Sequence, residues 1–262
     1  MNKARQFGVV IVGDELLSGK RTDKHLSHVI ETLHARGMCV AWSRVTGDNH
    51  DRLVDELRLT QLDSLPVFCF GGIGATPDDQ TRQAAAIAFG TRLVRHPGAV
   101  GMIEDRFGRK AYPDRVRMAE LPEDCLLIPN PQSRIPGFTL FDHHFFPGFP
   151  SLAWPMLDWV LDQYYCHDML PEVEQSVRVF DVHESSLIQL MDELSANHPR
   201  AKIFSLPHMA AVNSIELGFR GQQADVEAAF SDLLAELKMR ALGNLKKLDA
   251  GAPAKVLRQA VV

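Results

Sequence analysis

The sequence is poor in the features that mark secreted, membrane-spanning and nucleic-acid-binding proteins. Its four cysteines, Cys39, Cys69, Cys125 and Cys166, show no CxxC spacing, which argues against structural zinc and favours a reducing compartment. A net charge of −5 argues against a nucleic-acid or anionic-membrane partner. No apolar run approaches the ~20 residues of a membrane span, and the first residues lack a signal-peptide core. These absences predict a cytoplasmic protein without nucleic-acid or membrane partners.

Alternating strand and helix patterns are present through residue 165. Continuous apolar runs or strand-like segments lie at 7–13, 39–46, 67–70, 126–128 and 138–141, and helical patterns lie at 23–36, 51–62, 81–89 and 152–165. This alternation predicts an α/β domain with a mostly parallel sheet, spanning residues 1–166. In such sheets ligands lie outside the carboxyl ends of the strands. The segments that follow the first and third strands are therefore expected to face one crevice.

The remainder of the chain has a different order of predicted strands and helices. After an expected linker at 167–175, strands are predicted at 176–182, 201–205 and 214–220, and helices at 185–195 and 224–239. This β-α-β-β-α order predicts a small α+β open-faced sandwich over residues 176–242, with its helices on one side. Residues 243–262 are expected to form a tail with little structure.

The most informative segment is residues 66–81. A short apolar run is followed by Gly71, Gly72 and Gly74, and then by Thr76-Pro-Asp-Asp79 at the start of a helical pattern. A buried strand that delivers a glycine turn to a helix N-terminus is a phosphate-binding arrangement. Phosphate and two carboxylates repel each other unless a cation lies between them. The segment therefore favours a metal–nucleotide or metal–pterin-phosphate site over a bare anion site.

The same residues have a purely structural alternative. Thr76 would be the N-cap of the helix, Pro77 its first residue, and Asp79 the third-position acid. Asp78 and Asp79 would then only complement the helix dipole. Three glycines within four positions weigh against this alternative, because glycine weakens a structured backbone unless close approach or a positive φ requires it.

A second segment, Gly13 to Asp23, superficially resembles a Walker A loop. Five residues separate Gly13 from Gly19 where four are needed, and Arg21 stands where the magnesium-binding Ser or Thr belongs, so it is not a P-loop. The segment still offers oxygen donors for a divalent metal and donors for phosphate oxygens. These side chains are Asp14, Glu15, Ser18, Lys20 and Asp23. Each alone is more often a solvated loop residue, and they become a credible site only when paired with the glycine segment.

Three other groups are interpreted as structural. His143 and His144 are adjacent in a strand, so they point to opposite faces and cannot chelate one metal together. The Phe-rich stretch 138–149 is expected to be core rather than a platform for base stacking. Ser185 and Ser186 have no visible His or Asp partner, which argues against a serine hydrolase.

The combined motifs resemble a known family. They are Gly13–Gly19 with Asp23, Gly71–Thr81, the Asn130-Pro131 and Ile135–Gly137 turn, and Pro147–Pro150. Over residues 7–165 they look like the molybdopterin-binding-type domain family, and within it like the amino-terminal domain of the competence/damage-inducible CinA proteins. Residues 176–240, with Glu184-Ser185-Ser186, resemble the small middle domain of those proteins. No segment resembles their amidase domain, so nicotinamide-mononucleotide deamidation is not expected.

The resemblance implies a three-layer fold, a homo-oligomer (a dimer), and ligands of two kinds. Family members in molybdenum-cofactor synthesis bind pterin phosphates and adenylates, whereas the CinA-type domain is associated with metal-dependent pyrophosphate cleavage of ADP-ribose-like nucleotides. By matching motif, Gly71, Gly72, Gly74 and Thr76 would bind phosphate, Asp78 and Asp79 would lie near the metal, and Asp14 and Asp23 would form the opposite wall. We add Gly13, Ser18 and Thr81 as ligand-binding candidates and Asp23 as a metal ligand. Lys20 would stabilise developing charge, and Asp79 or Asp14 would be the general base.

Two departures from the family pattern bear on activity. Ala75 stands where proline is usual, and His25 stands where asparagine is usual. Three hypotheses therefore remain open. They are a pyrophosphatase that uses magnesium, manganese or cobalt, a molybdopterin- or nucleotide-binding protein without turnover, and a regulatory or scaffold protein that has lost the chemistry.

Overall fold

The chain divides into two compact units, each with its own hydrophobic core. The computed structural model describes residues 5–166, 172–208 and 213–247. Unit 1 is Met1–Met169 and unit 2 is Leu170–Val262. Within the described residues, no helix is long and apolar enough to cross a membrane.

Strands and helices alternate through most of unit 1, as the apolar patterns predict. The strands are β1 (Gln6–Val12), β2 (Cys39–Thr46), β3 (Val67–Phe70), β4 (Leu93–Arg95), β5 (Glu120–Pro122), β6 (Leu126–Ile128), β7 (Gly137–Leu140) and β8 (His143–Phe146). The helices are α1 (Asp14–Leu17), α2 (His25–Ala35), α3 (His50–Thr60), α4 (Thr81–Ala88), α5 (Pro97–Phe107) and α6 (Pro150–Tyr164). The one-turn helix α1 was not predicted, and neither was the antiparallel pair of β4 with β5, which lie on either side of α5 in the chain.

A six-stranded sheet forms the centre of unit 1, in the order β2-β1-β3-β8-β7-β6. The four strands β2, β1, β3 and β8 are parallel, and β7 and β6 continue the sheet antiparallel. The predicted α/β fold with a mostly parallel sheet is confirmed. Because β1, β3 and β8 are neighbours and run the same way, their carboxyl ends, at Val12, Phe70 and Phe146, meet at one edge of the sheet.

Helices cover both faces of this sheet, which explains why its central strands read as continuous apolar runs. Alternate side chains of β1 point to opposite faces. Val10 and Val12 join a core that includes residues of α3, α4 and α5, and Val9 and Ile11 join a core that includes residues of α2 and α6. The result is the expected three-layer arrangement.

The paired histidines of β8 belong to these two opposite cores. His143 Nε2 is hydrogen-bonded to Thr60 Oγ1 at 2.8 Å, while His144 is hydrogen-bonded to Thr139 Oγ1 at 2.9 Å and to the Tyr165 hydroxyl at 2.8 Å. Burial lowers the pKa of His143 to about 4 and that of His144 to about 3. The expected structural role of the pair is confirmed.

The Phe-rich stretch only partly follows its prediction as core. Phe138, Phe145 and Phe146 are fully buried, and Phe138 stacks on Phe145 at 4.4 Å between ring centroids. Phe141 and Phe149 are 72% and 60% exposed. The prediction is wrong for these two residues because each lies in a connection outside the strands, where the burial of a sheet face does not apply.

Unit 2 is an antiparallel sheet with helices on one face. Its elements are β9 (Val173–Phe180), α7 (Ile188–Asn197), β10 (Lys202–His208), β11 (Ser214–Gly221), α8 (Gln223–Met239) and β12 (Asn244–Lys247). The strand order is β10-β11-β9-β12. Val177 and Val179 of β9 and Leu217 of β11 pack with residues of α7 and α8 in one core. The predicted β-α-β-β-α order is confirmed and is extended by one strand.

Two boundaries in unit 2 differ from the prediction. Strand β9 begins at Val173, so residues 173–175 are not linker, and residues 244–247 pair with β9 instead of belonging to an unstructured tail. Ladder hydrogen bonds come from the backbone, so a strand can form where the sequence pattern is weak. Residues 167–171 of the expected linker and 248–262 of the expected tail lie outside the described residues.

The face of the unit 2 sheet opposite its helices carries both polar and apolar side chains. Glu216 of β11 lies there, with Ser176 Oγ at 2.8 Å, His208 Nε2 at 3.2 Å and Arg178 at 3.8 Å from its carboxylate oxygens. Leu206 and Phe204 of β10 pair with Glu216 and Gly218 of β11, so they share this face, and Leu206 is 51% exposed. The open face therefore has apolar surface beside its paired polar groups, and the dimer implied by the family resemblance stays a prediction.

Candidate functional site

The glycine loop after β3, residues 71–80, makes two very close approaches to its neighbours. A Cβ added at Gly71 would lie 2.3 Å from the carbonyl oxygen of Val12, at the end of β1. A Cβ at Gly72 would lie 2.1 Å from Thr81 Oγ1, at the start of α4. Both glycines have left-handed backbones, with φ of 104° and 69°. Only glycine allows this combination of conformation and contact.

The helix after the glycine loop begins at Thr81, not at Pro77. Residues Thr76 to Asp79 form a tight turn closed by Asp79 N–H donating to the Thr76 carbonyl at 3.0 Å, and Gln80 occupies the N-cap position of α4. The capping alternative, with Thr76 as N-cap, is therefore wrong. Asp79 Oδ2 accepts hydrogen bonds from the Thr76 N–H at 2.9 Å and from the Thr76 hydroxyl. This oxygen holds the turn together.

The Thr81 hydroxyl is a buried polar group without a partner. The residue is 1% exposed, and within the described part of the chain Oγ1 has no hydrogen bond. Its backbone N–H donates to the Gly72 carbonyl at 2.9 Å. Buried hydroxyls usually find a partner, so an unpaired one beneath a glycine loop calls for an explanation.

The loops after β1 and β2 are joined by a reciprocal pair of hydrogen bonds. Asp14 N–H donates to Asp48 Oδ2 at 2.9 Å, and Asp48 N–H donates to Asp14 Oδ1 at 3.2 Å. Burial raises the pKa of the Asp48 carboxyl, and the negative charges of Asp14, Glu15 and Asp78 add to the shift. Sequence reasoning missed Asp48. Asp48 could have been found from its position, because it is an acid just beyond the carboxyl end of the strand predicted at 39–46.

The other predicted residues of the first loop have different environments. Ser18 N–H donates to the Asp14 carbonyl at 2.9 Å in the turn after α1, and the side chains of Ser18 and Lys20 are exposed. Asp23 accepts hydrogen bonds from the N–H groups of His25 and Leu26, both at 2.9 Å. Both Asp23 oxygens thus stabilise the start of α2.

His25 connects α2 to the turn after β8. Its Nε2 is hydrogen-bonded to the Gly148 carbonyl at 3.0 Å, and its ring stacks on Phe70 at 4.5 Å. Burial lowers the pKa of His25. A Cβ added at Gly148 would lie 3.4 Å from the Cα of Gly71, so this turn touches the glycine loop. The side chain of His25 is therefore bound within the fold to the turn after β8, which is a fourth loop of the site.

Arg82 was also missed in the sequence, and it holds the glycine loop by hydrogen bonding to the backbone. The residue is 2% exposed, and its guanidinium donates to the carbonyls of Gly74 at 2.6 Å, Glu120 at 2.9 Å and Arg117. Burial lowers the pKa of Arg82. Arg82 is the second residue of α4. An arginine at this position is usually exposed, so the sequence does not indicate that it is buried.

Residues 8–167 match the family described as "Probable molybdopterin binding domain". The chain belongs to this family. The match covers nearly all of the unit 1 sheet and the four loops described above, which follow β1, β2, β3 and β8.

Relatives and one solved structure agree with the family assignment. A CinA-like protein from Citrifermentans bemidjiense is 31% identical over 203 residues, covering 71% of this chain and 47% of the relative. A putative competence-damage inducible protein from Lacticaseibacillus casei is 27% identical over 242 residues, covering 85% and 57%. The chain thus spans about half the length of these curated relatives. The crystal structure of "the protein CinA with unknown function" from Thermoplasma acidophilum superposes with a TM-score of 0.56 at 28% identity, covering 61% of this chain and 98% of that one.

The acidic residues of this family member suit one mode of metal binding and not another. Within the described residues, no three His, Cys, Asp or Glu side chains form a group that could hold a metal by themselves. Magnesium is usually bound by one or two carboxylates together with substrate phosphates, and not by an all-protein cage. Asp14, Asp48, Asp78 and Asp79 can supply oxygen donors for that mode, because hydrogen bonds among the described residues engage only one oxygen each of Asp14, Asp48 and Asp79. Both oxygens of Asp23, in contrast, accept backbone N–H groups.

Proposed function

We propose that this crevice binds the phosphate groups of a nucleotide, and that the chain is a metal-dependent pyrophosphatase that hydrolyses ADP-ribose-like dinucleotides. The observation that carries the proposal is the glycine loop. Gly71 and Gly72 close it against the end of β1 and the start of α4, directly above the unpaired hydroxyl of Thr81. Backbone N–H groups at a helix N-terminus attract anions. A phosphate oxygen bound in this loop would give the Thr81 hydroxyl its missing partner.

The charges around the loop favour a cation that is shared with the substrate. Asp48 already experiences the negative charges of Asp14, Glu15 and Asp78. A phosphate group beside these carboxylates would be repelled unless a divalent ion lay between them. Asp48 and Asp78 would hold magnesium, manganese or cobalt together with the phosphates. When bound, such an ion supplies Lewis-acid polarisation of phosphoryl oxygens and lowers the pKa of bound water.

The chain's own residues have separate roles in this proposal. Lys20 is exposed on the first loop and would stabilise charge that develops on the leaving phosphate. Of the two general-base candidates, Asp79 has one oxygen bound twice by Thr76, while Asp14 is exposed and accepts one hydrogen bond from Asp48. We therefore favour Asp14 as the base. Gly13, whose N–H donates to the Thr46 carbonyl at 3.0 Å, would keep this loop in place.

A second function, binding of a nucleotide or pterin phosphate without turnover, is favoured by one observation. Asp23 and Asp79, two of the three expected metal ligands, use carboxylate oxygens to hold local backbone. A crevice that retains its glycine loop but binds metal weakly would still bind phosphate esters.

Hydrolysis and binding assays of the full chain separate the two functions. Wild type, Asp14→Asn and Asp63→Asn are compared on ADP-ribose, FAD and CoA with magnesium, manganese or cobalt. Asp63 is the control because it is an exposed acid that precedes β3, at the opposite edge of the sheet. We expect metal-dependent cleavage that is lost in Asp14→Asn and kept in Asp63→Asn. Binding of ADP-ribose or a pterin phosphate without cleavage would establish the second function, and no binding of any phosphate ester would refute both.

A further inference from the structure

Phe149 is an exposed aromatic residue in the turn after β8, at the edge of the sheet where the four loops of the site lie. Its side chain is 60% exposed, although Phe145 and Phe146 of the preceding strand are fully buried. Within the described residues its ring stacks on no other ring, whereas Phe141, which is 72% exposed, pairs with Phe89 at 5.7 Å. A large apolar side chain that is free at a ligand-binding edge is a common means of recognition.

The backbone that carries Phe149 is held on both sides. Prolines precede and follow the Gly148-Phe149 pair, and the Gly148 carbonyl is hydrogen-bonded to His25 at 3.0 Å. The Phe149 carbonyl accepts hydrogen bonds from the N–H groups of Leu152 and Ala153, both at 2.9 Å. The attachment point of the ring is therefore fixed, which reduces the entropy lost when a ligand packs against it.

The position of Phe149 relates it to the phosphate loop. Gly148 lies against Gly71, with only 3.4 Å between the Gly71 Cα and a Cβ built on Gly148. Phe149 is thus one residue from direct contact with the loop proposed to bind phosphate. A ligand with both a phosphate group and a planar ring could place the phosphate on the glycine loop and the ring on Phe149.

We propose that Phe149 is the stacking surface for the heteroaromatic ring of the ligand, and that it restricts the substrates of this crevice to phosphate esters that carry such a ring. The inference rests on the proposed phosphate-binding function. Every nucleobase and pterin has a flat π-face, and stacking on a phenyl ring involves no hydrogen-bond readout. Phe149 therefore selects for the presence of a ring more than for its identity, and adenine and guanine derivatives bind with similar affinity.

Calorimetric titration of the full chain in magnesium tests this role with two probes. ADP-ribose carries the ring, and inorganic pyrophosphate is the ring-free probe. The variants are Phe149→Ala, Phe149→Tyr and the control Phe141→Ala, since Phe141 precedes β8 and lies at the opposite edge of the sheet. We expect Phe149→Ala to weaken ADP-ribose binding about tenfold and to leave pyrophosphate binding unchanged. Phe149→Tyr, which keeps the ring, and Phe141→Ala are expected to bind like wild type.

The outcomes distinguish failure of this inference from failure of the proposed function. Equal weakening of both probes by Phe149→Ala, or no weakening of ADP-ribose binding, would overturn the stacking role while phosphate binding stands. Binding of neither probe to wild type would overturn the phosphate site and the stacking role with it. Repeating the titration with ADP, GDP and a pterin diphosphate identifies the source of the ring, and a strong preference between ADP and GDP would contradict readout by stacking alone.

Discussion

Two buried threonines of unit 1 differ in how their hydroxyls are satisfied. Thr60 Oγ1 donates to the Leu57 carbonyl at 2.8 Å and is hydrogen-bonded to His143 Nε2 at 2.8 Å. Thr81 Oγ1 has no partner within the described residues. An unpaired buried hydroxyl destabilises a fold, so its presence beside Gly72 is better explained by ligand binding than by stability.

Replacing each threonine by valine, which has nearly the same shape, separates these roles. Thr60→Val removes two hydrogen bonds and leaves the buried Nε2 of His143 unpaired, while the Leu57 carbonyl keeps the Gln61 side-chain amide at 3.3 Å. We therefore expect it to lower the free energy of unfolding by about 1–3 kcal/mol. Thr81→Val removes an unpaired group, and we expect stability equal to or above that of wild type, with weaker ADP-ribose binding. Urea denaturation and calorimetry measure the two quantities. A Thr81→Val protein that loses stability and keeps its affinity would contradict the proposed contact.

At the scale of elements, the glycine loop depends on a buried charge that lies outside it. Arg82 of α4 donates to the Gly74 carbonyl and to two carbonyls around the start of β5, Arg117 and Glu120. Within the described residues its guanidinium forms no salt bridge, but the negative charges of Asp79 and Glu120 favour the charged form of Arg82, along with the backbone carbonyls. One side chain therefore connects the glycine loop to the start of β5.

Arg82→Met tests this connection, because methionine has similar bulk but no donors. We expect a loss of about 2–4 kcal/mol in the free energy of unfolding, since hydrogen bonds to a charged group are lost and buried carbonyls are left unpaired. Tryptophan fluorescence in urea reports on unit 1, because all three tryptophans, Trp42, Trp154 and Trp159, lie there. Arg58→Met is the control, since its exposed guanidinium is only 3.7 Å from Asp55 in a surface pair. Equal effects of the two substitutions would refute the role of Arg82.

Strand β8 makes unit 1 sensitive to mild acid. Burial holds the pKa of His143 at about 4 and that of His144 at about 3 in the folded chain, below the ordinary value of about 6.5 in the unfolded chain. As pH falls through 6.5 the unfolded chain takes up protons that the folded chain does not, so stability is lost. Linkage gives a loss of about 2 kcal/mol per histidine between pH 7 and pH 5.

Substitution at His143 checks this pH dependence. His143→Gln keeps a hydrogen-bonding side chain next to Thr60 and does not titrate, so its unfolding free energy is expected to fall less between pH 7 and pH 5 than that of wild type. The half-exposed His50, replaced by glutamine in the same way, controls for the loss of a histidine as such. An identical pH slope in wild type and His143→Gln would rule out the buried histidine as its source.

At the scale of the whole molecule, the two units have separate cores, and the family match at residues 8–167 lies within unit 1. The four loops of the proposed site are all in unit 1. We therefore expect residues 1–166 alone to fold and to bind ADP-ribose within about threefold of the full chain, as an independent domain should. Circular dichroism and calorimetry of this fragment provide the check. A folded fragment that does not bind would show that unit 2 contributes to the site.

The formation of a dimer, which the family resemblance implies, stays a prediction. The open face of the unit 2 sheet combines the polar groups around Glu216 with Leu206, which is 51% exposed. A dimer formed through this face would bury Leu206, and sedimentation velocity distinguishes a 29.2 kDa monomer from a particle of twice that mass.

The alternation of strands and helices, the α/β class and the position of the glycine loop could all be predicted from the amino-acid sequence. The apolar runs of β1 and β3 and the glycines at 71 and 72 are local signals, because burial on both faces and a left-handed backbone each restrict the residues that a segment can contain. The local pattern also predicted that His143 and His144 lie on opposite faces of the sheet, because neighbouring residues in a strand point to opposite sides.

The contacts between residues of the site could not be predicted from the sequence, because they form between segments that are distant in the chain. Asp48 pairs with Asp14 across 34 positions, and His25 reaches Gly148 across 123. Arg82 is buried by contacts with Gly74 and the β5 region, and β12 forms by pairing its backbone with β9. Such contacts depend on the packing of distant segments and leave no periodicity in the residues themselves. The local contacts of Asp23 and Asp79 were likewise not visible in the sequence: both Asp23 oxygens accept backbone N–H groups, and Asp79 Oδ2 accepts from Thr76, while the metal role of the two residues stays a prediction.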